Sequence, residues 1–159
     1  MNKEIERKFL VIGKSYRKEA SKVLEIQQGY ISETKRTITR VRIENHEAYL
    51  TIKENKKEIS KLEFEYSIPI KDGNYLIDNL CNNQTISKTR YIVNFESCRW
   101  EIDEFGGDNE GLVIAEIELE DEDQHFEKPY WIKSEVTEDS RYYNVNLIKN
   151  PFKKWKNKG

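Results

Sequence analysis

Six pairs of like charge, each two residues apart, punctuate this chain: Glu4/Glu6, Arg40/Arg42, Glu63/Glu65, Lys88/Arg90, Glu101/Asp103 and Glu116/Glu118. Each lies in a stretch that alternates with apolar residues. In a β-strand successive side chains point to opposite faces, so each pair stands on one face. The other face carries the apolar set, such as Ile5 and Phe9, Val41 and Ile43, or Ala115, Ile117 and Leu119. Like charges on one strand face repel and are not chosen for stability. An ordinary half-buried sheet turns a varied polar face to water; strand after strand of single-sign pairs needs something else to neutralise it.

The rest of the chain supplies the elements. A first strand holds Glu4, Glu6 and Lys8 on one face. Ser15 as a cap and a Tyr16, Ala20, Val23, Leu24 stripe predict a helix over 15–26. Strands follow over 25–33, 36–44, 47–54 and 61–68, the last ended by Pro69. A short helix is expected over 72–81. Strands are then expected over 86–95, 98–105 and 112–120, with a Gly-rich turn at 105–111. An acidic loop or short helix over 121–128 and a short strand over 131–137 come next. Asp139 or Ser140 caps a final helix to Leu147, ahead of a basic tail over 151–156.

About eight strands joined mostly by short turns are mostly antiparallel. An open, curved sheet with a salt-bridged wet face is one solution. The other is a barrel with the charged faces inside and the apolar faces packed outward under helices, the inverse of a small barrel filled with apolar side chains. The fold expected is therefore α+β, mainly β: a closed eight-stranded antiparallel barrel with a polar, charged interior, in one domain over 1–159. Its basic set calls for a polyanion. Its acidic set, without nearby His or Cys, calls for Mg²⁺ or Mn²⁺ rather than Zn²⁺. A metal–polyphosphate ligand satisfies both.

Composition narrows the partners. Of 159 residues, 35% are charged and 36% hydrophobic, yet 11% are aromatic, which disordered chains usually lack. The net charge of −2 gives no reason to expect nucleic acid or an anionic membrane. No apolar run approaches a membrane span, and with charges from position 3 onward no signal-peptide h-region is expected. Cys81 and Cys98 are isolated, which predicts reduced thiols and a cytoplasmic protein. A homodimer is left open, and the basic tail with Phe152 and Trp155 reads either as a docked segment or as a frayed end.

Glu4-Ile5-Glu6-Arg7-Lys8 resembles the ExExK signature of the CYTH superfamily, the triphosphate tunnel metalloenzymes. The resemblance continues through Gln28-Gly29-Tyr30, Arg40-Val41-Arg42, Thr51-Ile52-Lys53, Glu63-Phe64-Glu65, Lys88-Thr89-Arg90-Tyr91, Trp100-Glu101-Ile102-Asp103, Ala115-Glu116-Ile117-Glu118-Leu119 and Arg141-Tyr142-Tyr143. It implies a metal-dependent triphosphatase acting on a small-molecule triphosphate, most closely inorganic triphosphate. It implies that Glu4, Glu6, Glu116 and Glu118 hold the activating metal, with Asp103 close by. Lys8, Arg40, Arg42, Lys53, Lys88 and Arg90 would grip the phosphates. Glu63, Glu65 and Glu101 would orient the basic residues or help hold a second metal. The base that activates water is either a Glu of the metal site or Lys8 paired with Tyr30, if cations depress its pKa against the adjacent acids. The rivals are a class IV adenylyl cyclase, a nucleoside or thiamine triphosphatase, and a non-catalytic polyphosphate-binding module.

Overall fold

The alternating stretches all form strands. A computed structural model describes residues 3–156; residues 1–2 and 157–159 of the expected domain lie outside the described residues. The strands are β1 (Lys3–Val11), β2 (Lys22–Glu33), β3 (Thr37–Glu44), β4 (Glu47–Glu54), β5 (Ser60–Ile68), β6 (Thr85–Phe95), β7 (Cys98–Phe105), β8 (Val113–Glu118) and β9 (Ile132–Glu135). The helices are α1 (Tyr16–Glu19), α2 (Ile70–Tyr75), which runs on as a π-helical turn over Leu76–Leu80, and α3 (Asn144–Lys149). No helix among the described residues is long and apolar enough to cross a membrane.

Neighbouring strands run β5-β4-β3-β2-β6-β7-β8-β1, and every pairing is antiparallel. β1 then meets β5 through Lys3↔Leu62, Glu4↔Lys61 and Ile5↔Ser60. That seam closes eight strands into a barrel. Further along the same edge of β1, β9 takes over from β5, pairing at Phe9↔Glu135 and Val11↔Ile132. A guanidinium fork from Arg7 to Glu135 (2.9 and 2.5 Å) fixes β9 there, a bidentate geometry that only Arg supplies.

The apolar faces point outward, as the alternation requires, and are covered. Phe9, Trp100 and Ile102 pack with Tyr16 of α1 and with Trp131; the Trp100 and Trp131 rings meet edge-on at 6.0 Å. On the opposite side, Val41, Ile43 and Ala48 pack under Ile77 and Cys81. The approach is close: a Cβ on Gly29 would lie 2.5 Å from Cys81 Sγ, and one on Gly73 2.6 Å from Ala48 Cβ.

The inward files change character along the barrel. At one end they become apolar, with Tyr30, Ile38, Ile86, Phe105 and Ile114. Val145, Leu147 and Ile148 of α3 pack into that end.

The helix expected over 15–26 is a single turn, Tyr16–Glu19. From Lys22 the chain is strand, and burial alternates with period 2 through Leu24, Ile26, Gln28 and Tyr30 while Val23 is exposed. Leu24 fits either period, and pairing with β6 from Lys22 onward decided for the strand. The expected final helix is broken. Asp139 accepts from the Arg141 N–H and caps a short 3₁₀ turn over Ser140–Tyr142. Tyr143 is extended (ψ 135°) and α3 starts after it. The tail is docked, with Phe152 and Trp155 packed beside Tyr142.

Candidate active site

The cavity inside the barrel measures about 360 Å³, and every side chain lining it is charged except Gln28, Tyr49 and Asn144. Its wall is segregated. Arg40 and Arg42 on β3, Lys53 on β4, and Lys88 and Arg90 on β6 face it from one half. Glu101 on β7, Glu116 and Glu118 on β8, Glu4 and Glu6 on β1, and Glu63 and Glu65 on β5 face it from the other. β2 sits between the two basic strands because it pairs with both β3 and β6.

Ion pairs stitch the halves together where they meet. Arg90 grips Asp103 through Nε (2.7 Å) and one terminal nitrogen (3.0 Å). Lys88 Nζ lies 2.7 Å from Asp103 Oδ2, the oxygen that the Arg90 terminal nitrogen also reaches, and Asp103 is 1% exposed. These two cations outweigh burial and hold the Asp103 carboxyl below the usual range. Arg42 reaches Glu65 at 3.0 Å. Arg40 lies 3.8 Å from Glu63 and 3.7 Å from Glu65, and donates to Thr51 Oγ1. Lys53 is 3.9 Å from Glu4.

The segregation has exceptions: Glu44 on β3 and Arg99 on β7 line the cavity from the half of opposite sign, and Lys8 is a buried cation within the acidic half. Its ammonium lies 2.7 Å from Glu116 and 3.3 Å from Glu6. Burial would lower its pKa, but Glu116 and Glu6 outweigh burial and raise it. Of the two influences on Lys8, burial and the adjacent acids, the acids prevail and hold its pKa above the usual lysine value. Tyr30 is 5% exposed, burial raises its pKa, and its hydroxyl is 3.2 Å from the Gln28 carboxamide. Lys88 differs from Lys8. Burial, reinforced by Arg90 and opposed by Asp103, pushes it down to about 8.

The acids are strained. Burial raises the pKa of Glu4, with the neighbouring Glu63 adding to the effect against Lys53. Burial likewise raises Glu118, followed by repulsion from Glu101, Glu4 and Glu6. Among the described residues no three acid, His or Cys side chains are gathered in metal-binding geometry; Glu6 and Glu116 are turned to Lys8 instead. A carboxylate-only donor set under mutual repulsion nonetheless has the chemistry that a hard divalent cation relieves.

All the residues expected from sequence thus meet in or against one cavity, with two changes of partner. Asp103 belongs to Lys88 and Arg90 rather than to the acids, and Tyr30 to Gln28 rather than to Lys8. Several site residues were missed. Glu44, Tyr49 and Arg99 continue inward files of the cavity; extending the period-2 pattern by one step finds Glu44 and Arg99, and by two steps from Lys53 finds Tyr49. Lys61, beside Glu4 across the seam, has its ammonium 5.1 Å from the Tyr143 ring. Asn144, whose Oδ1 accepts from Lys88, comes from α3 and leaves no signal in any strand pattern.

Comparison with known proteins identifies the family. The chain is 52% identical over 156 residues to an inorganic triphosphatase of Acetivibrio thermocellus, covering 98% of this chain and 99% of that protein. It is 32% identical over 148 residues to an inorganic triphosphatase of Nitrosomonas europaea, covering 91% and 95%. The crystal structure of an inorganic triphosphatase, 31% identical, superposes with a TM-score of 0.66 over 93% of this chain and 95% of that one. The model of the CYTH domain matches residues 2–150. The chain belongs to the CYTH family.

Proposed function

We propose that this protein is a metal-dependent triphosphatase, one CYTH-like domain over 1–159, whose substrate is inorganic triphosphate. The observation that carries the reading is the segregated wall: five cations on β3, β4 and β6 face a bank of carboxylates across one small cavity. A polyanion with a divalent cation neutralises both banks at once.

Arg40, Arg42, Lys53, Lys88 and Arg90 bind the phosphate oxygens, and Asp103 holds Lys88 and Arg90 in position. Glu4, Glu6, Glu116 and Glu118 hold Mg²⁺ or Mn²⁺, which when bound neutralises phosphate charge and acidifies a water. Glu63, Glu65 and Glu101 orient the basic side chains. Water attacks the terminal phosphorus and the P–O–P bridge breaks, giving orthophosphate and pyrophosphate. This transfer needs positioning and charge stabilisation more than covalent chemistry. A carboxylate of the acidic bank takes the water's proton. Lys8 spaces Glu6 and Glu116 and neutralises charge as it develops. Free Cys81 and Cys98 suit a cytoplasmic setting.

The lining has one aromatic side chain, Tyr49, and no aliphatic one, so a purine base finds no apolar slot inside. That weighs against cyclase and nucleotide-specific readings. The test is phosphate release from triphosphate, ATP, thiamine triphosphate and pyrophosphate, with Mg²⁺ and then Mn²⁺. Equimolar orthophosphate and pyrophosphate from triphosphate is expected. Cyclic AMP as the main product of ATP overturns the reading, and tight binding without turnover under either metal converts it to a binding module.

A further inference from the structure

β2 contributes a single polar side chain to the cavity wall, Gln28, in the middle of the basic half. Gln28 sits opposite Arg42 in the β2–β3 register, and Tyr30 sits opposite Arg40. Gln28 is 0% exposed. One end of its carboxamide is 3.2 Å from Tyr30 Oη, and the other has no hydrogen-bond partner among the described residues.

The two ends of a carboxamide have the same shape and are told apart by their partners. With nitrogen toward Tyr30, the carboxamide oxygen is orphaned, and the buried phenol proton finds no acceptor among the described residues. With oxygen toward Tyr30, the phenol donates to it and the NH₂ group becomes the end without a partner. The second arrangement uses one more buried group, and buried polar groups are rarely left unused. It also places an N–H donor, rather than a lone pair, where Arg40, Arg42, Lys88 and Arg90 gather to receive an anion.

We propose that Gln28 is a substrate-binding residue, donating from its NH₂ group to the phosphate chain, and that Tyr30 is a positioning residue that fixes this orientation. The proposal rests on the triphosphatase reading above. It gives β2 a role that a charged file does not have. A neutral donor binds phosphate without a counter-charge that must be buried in the free protein.

The test compares Gln28→Glu, which still accepts from Tyr30 but offers no N–H, with Gln28→Met and Tyr30→Phe. KM and kcat for triphosphate are measured, together with calorimetric binding of triphosphate in EDTA. Gln28→Glu should raise KM and weaken metal-free binding by about tenfold or more, as for loss of a bond to a charged acceptor, with the melting temperature retained. Tyr30→Phe should raise KM less, because the donor remains and only its orientation is loosened. If Gln28→Glu matches the parent in both measurements while Tyr30→Phe reproduces Gln28→Met, Gln28 merely props Tyr30 and the proposal fails. Should a variant not fold, ¹⁵N spectra of the parent decide: the Gln28 side-chain NH₂ signals shift on adding triphosphate in EDTA, and unmoved signals overturn the proposal. Absence of triphosphate hydrolysis by the parent refutes the triphosphatase reading instead, and the EDTA binding and spectra still judge Gln28.

Discussion

The Lys8 ammonium sits 2.7 Å from Glu116 Oε1, between two strands that pair these same residues in register, Lys8↔Glu116. Both side chains are nearly buried, at 8% and 10% exposed. Without Lys8, Glu6 and Glu116 would face each other in a confined cavity already crowded by Glu4 and Glu118. Removing one partner of a buried ion pair leaves an uncompensated charge and typically costs 3–5 kcal/mol.

Lys8→Met should therefore destabilise the metal-free protein by roughly 3 kcal/mol in urea unfolding. Added Mg²⁺ or Mn²⁺ should recover more stability than it adds to the parent, because the freed acids gain a cation. Unchanged metal-free stability would mean that Lys8 contributes nothing net to the fold.

Glu118→Gln separates function from stability. Turnover should collapse by orders of magnitude, while metal-free stability stays equal or rises, as when a strained site is relaxed. The sign with pH follows from the raised Glu118 pKa. Between the ordinary carboxyl value and the raised one, the folded state binds the extra proton. This group's contribution to stability therefore falls as pH rises through that window. The variant's advantage over the parent should be largest near neutrality and shrink on acidification. Thermal melts in EDTA between pH 7 and pH 4 check it; a constant difference would remove Glu118 from the repelling cluster.

Lys88, pushed down to about 8 by burial and by Arg90 against Asp103, binds phosphate only while charged. kcat/KM for triphosphate reports ionisations of the free enzyme, so it should decline as pH rises through about 8. In Lys88→Arg the decline should move to higher pH, since Arg stays protonated. The same shift means that the unfolded chain binds more protons between about 8 and the usual lysine value, so this group favours the folded state increasingly as pH rises there. A pH profile unaltered in Lys88→Arg assigns the limb to another group.

Arg42→Ala should weaken use of triphosphate strongly, by removing a charge-assisted contact worth roughly 1.5–3 kcal/mol. Lys57→Ala, at an exposed position in the β4–β5 loop, should do little. Equal effects in steady-state kinetics would mean that bulk charge, not the cavity, attracts the substrate.

Trp155→Ala tests the docked tail. The ring is 7% exposed, meets Tyr142 at 5.1 Å, and donates from Nε1 to the Asn150 carbonyl. Its loss should cost about 3 kcal/mol, and truncation after Asn150 more. Melting temperatures unchanged in both would return the tail to a frayed end.

Alternation along the chain is enough to specify charged-in, apolar-out strands. A backbone of period 2 fixes which face each side chain takes before any strand meets another, so Glu4, Glu6, Arg40, Arg42, Lys88, Arg90, Glu116 and Glu118 were all legible as one interior. What tertiary structure decided is who faces whom. β2 lies beside β6, far along the chain, and that long-range pairing gathers the cations into one half and leaves the acids in the other. It also gives Asp103 to Arg90 and Lys88, sets Lys8 between Glu6 and Glu116, and brings α3 to one end with Asn144 against Lys88. At residues 15–26 the local pattern fitted a helix as well as a strand, and strand pairing overruled it. Local alternation is set by neighbours in the chain. Partners across a barrel are set by closure, where hydrogen bonds on both edges of each strand and burial of both charge banks are satisfied together.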